Sequence, residues 1–122
     1  MCRFASNKVA MRVKRGIRVA VLAAVLTSNL WSPPQAGVPI TFVLVNEDPI
    51  DHEWLIGDDA FHEAHRTGTH ASHDAVPTEV TVPALETVRT TITFEEPGTL
   101  SYICHLPQHE SYGMVGVLTV EG

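Results

Sequence analysis

Short strand-like segments set the strongest limit on what this chain can fold into. Each is five to nine residues long and rich in valine, threonine, isoleucine or aromatic residues. Several alternate apolar and polar positions with a period of two, which is typical of half-buried β-strands. The segments span residues 38–46, 52–57, 79–83, 86–94, 98–104 and 114–122. This pattern predicts an all-β domain.

Turn residues separate these segments, at 46–49, 83–84 and 97–98. No long segment beyond the N-terminal region repeats its apolar residues every 3.6 positions, so helix is predicted to be a minor component. Strands at this spacing favour a small Greek-key β-sandwich or barrel. Residues 58–77 lack the strand pattern and are predicted to be an irregular loop with a function.

The N-terminal region has the layout of a secretory signal. Within residues 12–36, four basic residues precede an apolar run at 19–26, and a polar, proline-containing stretch follows. We therefore predict a signal peptide over residues 1–36, cleaved between Ala36 and Gly37, and a single domain over residues 37–122. The apolar run is shorter than the about 20 residues of a spanning helix. An uncleaved anchor stays open as an alternative, and Cys2 belongs to the predicted leader.

The predicted mature domain is strongly acidic. Residues 37–122 contain two basic and fourteen acidic side chains, a formal charge of 2 − 14 = −12. Binding to nucleic acid or to anionic membranes depends on lysine and arginine, so both partners are excluded. Metal ions and basic protein surfaces remain as partners.

Cys104 is the single cysteine of the predicted mature domain. An exported protein usually pairs its cysteines, so a solitary one indicates an intermolecular bond, a reactive thiol, a buried thiol or a metal ligand. Cys104, His109 and Met114 form a C-x4-H-x4-M motif in a loop between two predicted strands. Two imidazoles, one thiolate and a weak thioether are the ligands of a type 1 copper centre.

The second imidazole must come from upstream. His52 begins a strand-like segment and is the predicted ligand, with His62 and other upstream histidines as competitors. Taken singly, each residue has an ordinary structural explanation. Cys104 would be a buried thiol, His109 a loop histidine and Met114 a packed core residue. Their order and spacing together favour a copper site.

These motifs resemble those of the cupredoxins, the superfamily of plastocyanin and azurin, over nearly all of residues 37–122. The resemblance implies a Greek-key sandwich that binds one copper ion through His52, Cys104, His109 and Met114. The Cys to His spacing resembles that of azurin, and the His to Met spacing resembles that of plastocyanin. The combined motif, with His105 after the cysteine, is most similar to the type 1 site of multicopper oxidases.

Two departures from the family pattern matter. Many cupredoxins follow the first histidine with Asn or Ser, which helps to join the two ligand loops, whereas Glu53 follows it here. In the oxidases the histidine after the cysteine leads to a trinuclear cluster, but this chain has none of the paired H-x-H motifs. Oxidase activity is not expected, and His105 is interpreted as a solvated residue or one beside the ligands.

A histidine-rich stretch lies within residues 58–77. It contains His62, His65, His70 and His73. "HEAH" is one residue short of the metalloprotease motif H-E-x-x-H. The stretch is either a polar loop with titrating surface histidines or a second, exchangeable site for Cu(II) or Zn(II), because neutral imidazoles suit both ions.

Two functions are compatible with one copper site. The first is one-electron transfer by a monomeric, exported, non-enzymatic protein to a redox partner with a basic docking surface. The second is storage or delivery of copper outside the cytoplasm, with the histidine-rich stretch as a docking site. A complete Cys, two His and Met set favours electron transfer, whereas the histidine-rich stretch favours copper handling. The expected location is the periplasm, the cell surface or the medium.

Overall fold

Eight strands in two sheets form the framework of the computed structural model, which describes residues 11–12, 17–22, 33–71 and 75–122. The first sheet has the order β1-β2-β3-β6 and the second has the order β5-β4-β7-β8, with antiparallel pairing throughout. The strands are β1 Met11–Arg12, β2 Ile17–Leu22, β3 Ile40–Asn46, β4 His52–Gly57, β5 Glu79–Val82, β6 Thr87–Ile92, β7 Gly98–Ile103 and β8 Val115–Val120. The predicted all-β sandwich is confirmed.

The core lies between the two sheets. Phe42 of β3 packs against Trp54 of β4 with ring centroids 4.9 Å apart, and Phe94 packs edge-to-face with Phe42 at 6.3 Å. Each large apolar side chain buried in this way contributes about 1.5–3 kcal/mol relative to leaving it exposed. Cys104 and Met114 belong to the same core cluster. Two of the predicted ligands are therefore embedded in the packing that holds the sandwich together.

The register of β4 and β7 brings the predicted ligands to one end of the second sheet. Leu55 pairs with Ile103, and the strands run antiparallel. Because His52 begins β4 and Cys104 directly follows β7, the two residues meet at the same end. β8 returns alongside β7 from Val115, so the loop of residues 104–114 covers that end.

A short helix, α1 Asp59–Thr67, occupies the first half of the histidine-rich stretch. The prediction of an irregular loop over residues 58–77 is wrong for this part. Asp58 caps the helix by accepting a hydrogen bond from the Phe61 N–H at 2.8 Å, and Gly68 ends it with a φ of 68°. Both residues are common helix boundary signals. The nine-residue helix is too short for its apolar period to stand out in the sequence.

The predicted leader overlaps two strands of the first sheet, β1 and β2. β2 pairs with β3 from Ile17 opposite Asn46 to Leu22 opposite Thr41. Residues 1–10, 13–16 and 23–32 lie outside the described residues, so cleavage between Ala36 and Gly37 stays a prediction. In the described part of the chain, no helix is long and apolar enough to cross a membrane.

Candidate metal centre

Three potential ligand atoms converge at the loop end of the second sheet. The Nδ1 atoms of His52 and His109 are 3.2 Å apart, and the Sγ atom of Cys104 is 3.3 Å from Nδ1 of His109. For an ion such as zinc, bonds of about 2.0 Å to nitrogen and about 2.3 Å to sulfur put the donors of a trigonal site roughly 3.5–3.8 Å apart. Outward movement of a few tenths of an ångström therefore makes room for an ion.

The orientation of His52 is set by its second ring nitrogen. The Nε2–H group donates a hydrogen bond to Oδ2 of Asp48 at 3.0 Å, so the Nδ1 atom carries the lone pair that faces Cys104 and His109. His52 is buried, with 2% of its surface exposed. A carboxylate on the far nitrogen of a ligating histidine fixes the tautomer and increases the basicity of the ligand.

Asn46 holds the turn that carries Asp48 into place. Its buried Nδ2 group donates to the carbonyl oxygens of Ile50 and Val82 at 2.7 and 3.0 Å, and its Oδ1 atom accepts from the Asp48 N–H at 2.9 Å. The sequence predicted a turn at residues 46–49 but no contact of Asn46 or Asp48 with the metal centre. The available signal was an asparagine at the end of a strand, followed by an acidic turn that ends four residues before His52.

The Cys104 sulfur is buried and hydrogen-bonded to the neighbouring strand. The backbone N–H of Glu53 donates to Sγ at 3.3 Å. Because the backbone of residue 53 makes this contact, it does not depend on the side chain there. The presence of Glu53 in place of the family's Asn or Ser therefore leaves the link between the segments of His52 and Cys104 intact. Burial raises the pKa of the Cys104 thiol, and the Glu53 N–H opposes that shift. A bound cation overcomes the burial effect, because a metal ion deprotonates a coordinating thiol.

Backbone hydrogen bonds fold the loop of residues 104–114 back on itself. The Cys104 N–H donates to the Met114 carbonyl at 3.1 Å, and the Met114 N–H donates to the His109 carbonyl at 3.2 Å. Gly113 has a φ of 88°, a left-handed conformation that glycine adopts without strain. Met114 is thereby buried next to the segment that carries the other ligands. Its role as an axial ligand stays a prediction.

The ligand candidates differ in exposure. His52 and Cys104 are each only 2% exposed, whereas His109 is half-buried. His109 is therefore the member of the cluster that reaches the protein surface.

His62 points away from this centre. Its Nε2–H group donates to the Ser101 carbonyl at 3.0 Å, so its Nδ1 atom accepts from Nε2–H of His105 at 2.9 Å. The structure therefore places His52, and not His62, beside Cys104 and His109, and copper ligation by His52 stays a prediction. His105 is not a solvated residue, because its side chain is only 9% exposed. Burial is the main cause of a lowered pKa for His105, and the neighbouring His62 lowers that pKa further.

The other histidines of the stretch separate into two groups. His65 and His70 lie together beside Glu79, and their donor atoms are within 4.8 Å of one another. His73 lies outside the described residues. The predicted second set of four is therefore not one cluster, since His62 bonds to the residue after Cys104.

An ion pair joins α1 to the loop of residues 104–114. The guanidinium of Arg66 donates to both carboxylate oxygens of Glu110, with Nε 3.0 and 3.1 Å from them and a terminal nitrogen 2.6 Å from Oε1. This hydrogen bonding is the main cause of a lowered pKa for Glu110. The histidine-bearing helix is thereby tied to the loop that carries His109.

The sequence matches a family model. The model of "Copper binding proteins, plastocyanin/azurin family" matches residues 10–121, a range that begins ahead of the predicted domain boundary. The match confirms both the cupredoxin resemblance and copper as the cofactor.

Two curated relatives carry the name "Copper-resistant cuproprotein CopI". The one from Pseudomonas aeruginosa is 28% identical in an alignment that covers 71% of this chain and 66% of the relative. The one from Rubrivivax gelatinosus is 28% identical, with 91% of this chain and 69% of the relative covered. The chain thus spans about two thirds of the length of these relatives.

Two solved structures share the fold. Auracyanin B is 28% identical, with a TM-score of 0.58 over 74% of this chain and 76% of its own. Dithionite-reduced auracyanin from the photosynthetic bacterium Roseiflexus castenholzii has a TM-score of 0.59 over 72% of this chain and 81% of its own, and at 23% identity it supports the fold alone. With its two-sheet sandwich and its His, Cys and His cluster, this chain belongs to the plastocyanin/azurin family of copper-binding proteins.

Proposed function

We propose that this protein is a one-electron carrier with a single type 1 copper site formed by His52, Cys104, His109 and Met114. The observation that carries the proposal is the convergence of two Nδ1 atoms and one thiol sulfur within 3.2–3.3 Å contacts at a buried sheet end. Copper bound there supplies the Cu(II)/Cu(I) couple, since thiolate and thioether suit Cu(I) and imidazole suits both states.

The protein holds the copper ligands in fixed positions. His52 is fixed by Asp48, the Cys104 sulfur is fixed by the Glu53 N–H, and both lie in packed surroundings. Protein interiors resist small displacements because they are close-packed. A change of oxidation state therefore proceeds with little movement of the ligands.

His109 provides the route for the electron. Of the three converging ligands it is the one that reaches the surface. A partner that docks over His109 meets the shortest path to the buried centre. Arg66 and Arg89 are the only basic residues from position 37 onward, so the acidic surface favours a redox partner with a basic docking face.

The carrier is proposed to act as a monomer in the periplasm, at the cell surface or in the medium. The predicted leader supports an exported location. Electron transfer without a bound organic substrate makes the protein a carrier and not an enzyme.

Copper storage or delivery is the second candidate function. The names of the two curated relatives refer to copper resistance, which favours copper handling for this chain as well. The histidines beside α1 favour it too, since a handling protein needs a point where an arriving ion can first bind.

Repeated redox cycling in the presence of a chelator separates the two functions. The copper-loaded protein is reduced and reoxidised over many cycles with a strong competing copper chelator in solution. A carrier keeps its charge-transfer band and its copper content through all cycles. A delivery protein loses copper to the chelator, most rapidly in the reduced state. Glu95→Gln is the matched control, because Glu95 is exposed at the turn before β7, at the opposite end of that strand from Cys104.

A further inference from the structure

A second group of metal-binding side chains lies beside the first. His65 projects from α1, His70 follows the end of the helix, and Glu79 begins β5. The Nε2 atom of His65 is 3.3 Å from one carboxylate oxygen of Glu79, and the Nε2 atom of His70 is 3.3 Å from the other. Bonds of about 2.0–2.2 Å put the donors of a tetrahedral ion roughly 3.3–3.6 Å apart, so each contact has the length expected for two donors on one ion. One donor atom from each of the three residues lies within 4.8 Å of the others.

The far nitrogen of His65 already has a partner. Nδ1–H donates to the carbonyl oxygen of Phe61 at 2.9 Å, because a carbonyl can only accept. In the neutral imidazole, Nε2 then presents a lone pair toward the Glu79 carboxylate. Two acceptor groups that face each other need a cation between them, either a proton or a metal ion. A backbone carbonyl on the second nitrogen is also the usual way of orienting a metal-binding histidine.

Packing holds the two imidazoles near each other. The His65 and His70 rings stack with centroids 4.0 Å apart and planes inclined by 23°, and Phe61 packs on both rings. The two imidazole rings are therefore already held close together before an ion binds.

Solvent reaches the cluster. His65 and Glu79 line an open groove of about 780 Å³ that also includes His105 and Glu53. His65 is 13% exposed, Glu79 is 16% exposed and His70 is 29% exposed. A hydrated ion can enter the groove and keep a water molecule as its fourth ligand.

We infer that His65, His70 and Glu79 form a second site, which binds one divalent cation of the Cu(II) or Zn(II) type with two imidazoles and a carboxylate. Imidazole nitrogens suit these borderline ions, and among divalent first-row ions Cu(II) binds such donors most tightly. The site uses none of the type 1 ligands, so it stands whether or not the type 1 assignment is correct. His62 takes no part in it, because both of its nitrogens are engaged with Ser101 and His105.

The second site adjoins the first through one residue. The His105 ring lies 5.3 Å from the His65 ring with planes inclined by 17°, and His105 directly follows Cys104 in the chain. An ion at the second site therefore lies next to the loop of residues 104–114. A copper-handling protein would benefit from a cupric ion held at this position.

The test uses the full chain loaded with one equivalent of copper and then titrated with Zn(II) near neutral pH. We expect one zinc ion to bind per protein, with the copper charge-transfer band unchanged because zinc does not displace the more tightly bound copper. Zinc-edge X-ray absorption should show nitrogen and oxygen ligands only. Failure to bind a second ion, or sulfur in the zinc shell, would overturn the inference.

Variants assign the ligands. The double change His65→Gln and His70→Gln should abolish zinc binding, and Glu79→Gln should weaken it at least tenfold. Glu95→Gln changes the net charge equally at the far end of β7 and should leave zinc affinity unchanged. Unaltered zinc affinity in the His65 and His70 double variant would overturn the assignment.

A triple variant separates this inference from the proposed function. His52→Gln, Cys104→Ser and His109→Gln remove the first cluster, and the circular dichroism spectrum checks that the sandwich persists. We expect the folded triple variant to bind one zinc ion with the affinity measured in the copper-loaded protein. Loss of zinc binding from the folded triple variant would place the ion in the first cluster and overturn the inference.

Discussion

Asp48 accepts a hydrogen bond from Nε2–H of His52 at 3.0 Å, and this contact selects the Nδ1 atom of His52 as the one that faces Cys104 and His109. Asp48 lies four positions before His52, on a turn that Asn46 holds in place. The carboxylate therefore acts on the metal centre through the orientation of a ligand.

Replacement of Asp48 by Ala should lower copper affinity by about 10- to 100-fold, the usual cost of removing a partner of a metal-binding histidine. The charge-transfer band should persist when copper is saturating, because the thiolate is still present. Asp48→Asn should cost less, since the amide oxygen can still accept the hydrogen bond. Competition with a chelator of known affinity measures the loss, and equal affinities for wild type and Asp48→Ala would contradict the assigned role.

Cys104→Ser should abolish the intense blue or green colour of the copper-loaded protein. The colour arises from thiolate-to-copper charge transfer, and serine supplies no thiolate in a site of nearly the same shape. Visible absorption and electron paramagnetic resonance of the Cu(II) form are the measurements. A colourless Cu(II) complex of the wild-type protein would contradict the type 1 assignment.

Met114→Leu should retain copper and raise the one-electron potential. A thioether donates to Cu(II) and stabilises it, so its removal favours Cu(I). Met114 is buried, and a change of similar volume costs less than about 1.5 kcal/mol of folding free energy.

Leu118→Met is the matched control for Met114→Leu, since it makes the reverse change at a buried core position on β8. Its potential should equal that of the wild type in protein-film voltammetry. Loss of copper from Met114→Leu would show that Met114 has a role other than weak axial ligation.

The ion pair between Arg66 and Glu110 should contribute modestly to stability. The two side chains are 39% and 33% exposed, and such pairs contribute about 0.2–1 kcal/mol, less at high salt. A double-mutant cycle with Arg66→Gln and Glu110→Gln, followed by denaturant unfolding of the metal-free protein, measures the coupling. A coupling that does not fall between low and high salt would contradict a mainly electrostatic contact.

Mass spectrometry of the exported protein tests the predicted leader. Cleavage between Ala36 and Gly37 should give a mature chain that begins at Gly37. Such cleavage removes β2 and leaves the backbone groups on that side of β3 unpaired, which is a liability for an edge strand. A purified chain that retains residues 17–22 would contradict cleavage between Ala36 and Gly37.

Much of the fold and part of the site were predictable from sequence. Alternating apolar residues indicate strands because side chains of a strand point to opposite faces, and the segments at 38–46, 52–57 and 98–104 each contain a strand of the structure. The helix at Asp59–Thr67 was not predicted, since its caps are the main signal and its length is short.

By itself, the sequence determined the chemical identity of the donors and the local order of Cys104, His109 and Met114, because loop spacing is a property of the chain. Only the packing of the strands shows which upstream histidine lies beside Cys104 and His109. The sequence favoured His52 over His62 because His52 begins a strand-like segment, and in the structure the antiparallel pairing of β4 with β7 brings His52 to Cys104, while α1 turns His62 toward Ser101. The proximity of His65 and His70 to Glu79 was also invisible in the sequence, because Glu79 approaches them only through the pairing of β5 with β4, a strand that α1 contacts. Contacts between distant segments depend on how sheets and helices pack, and the residue pattern of one segment does not specify which other segments it contacts.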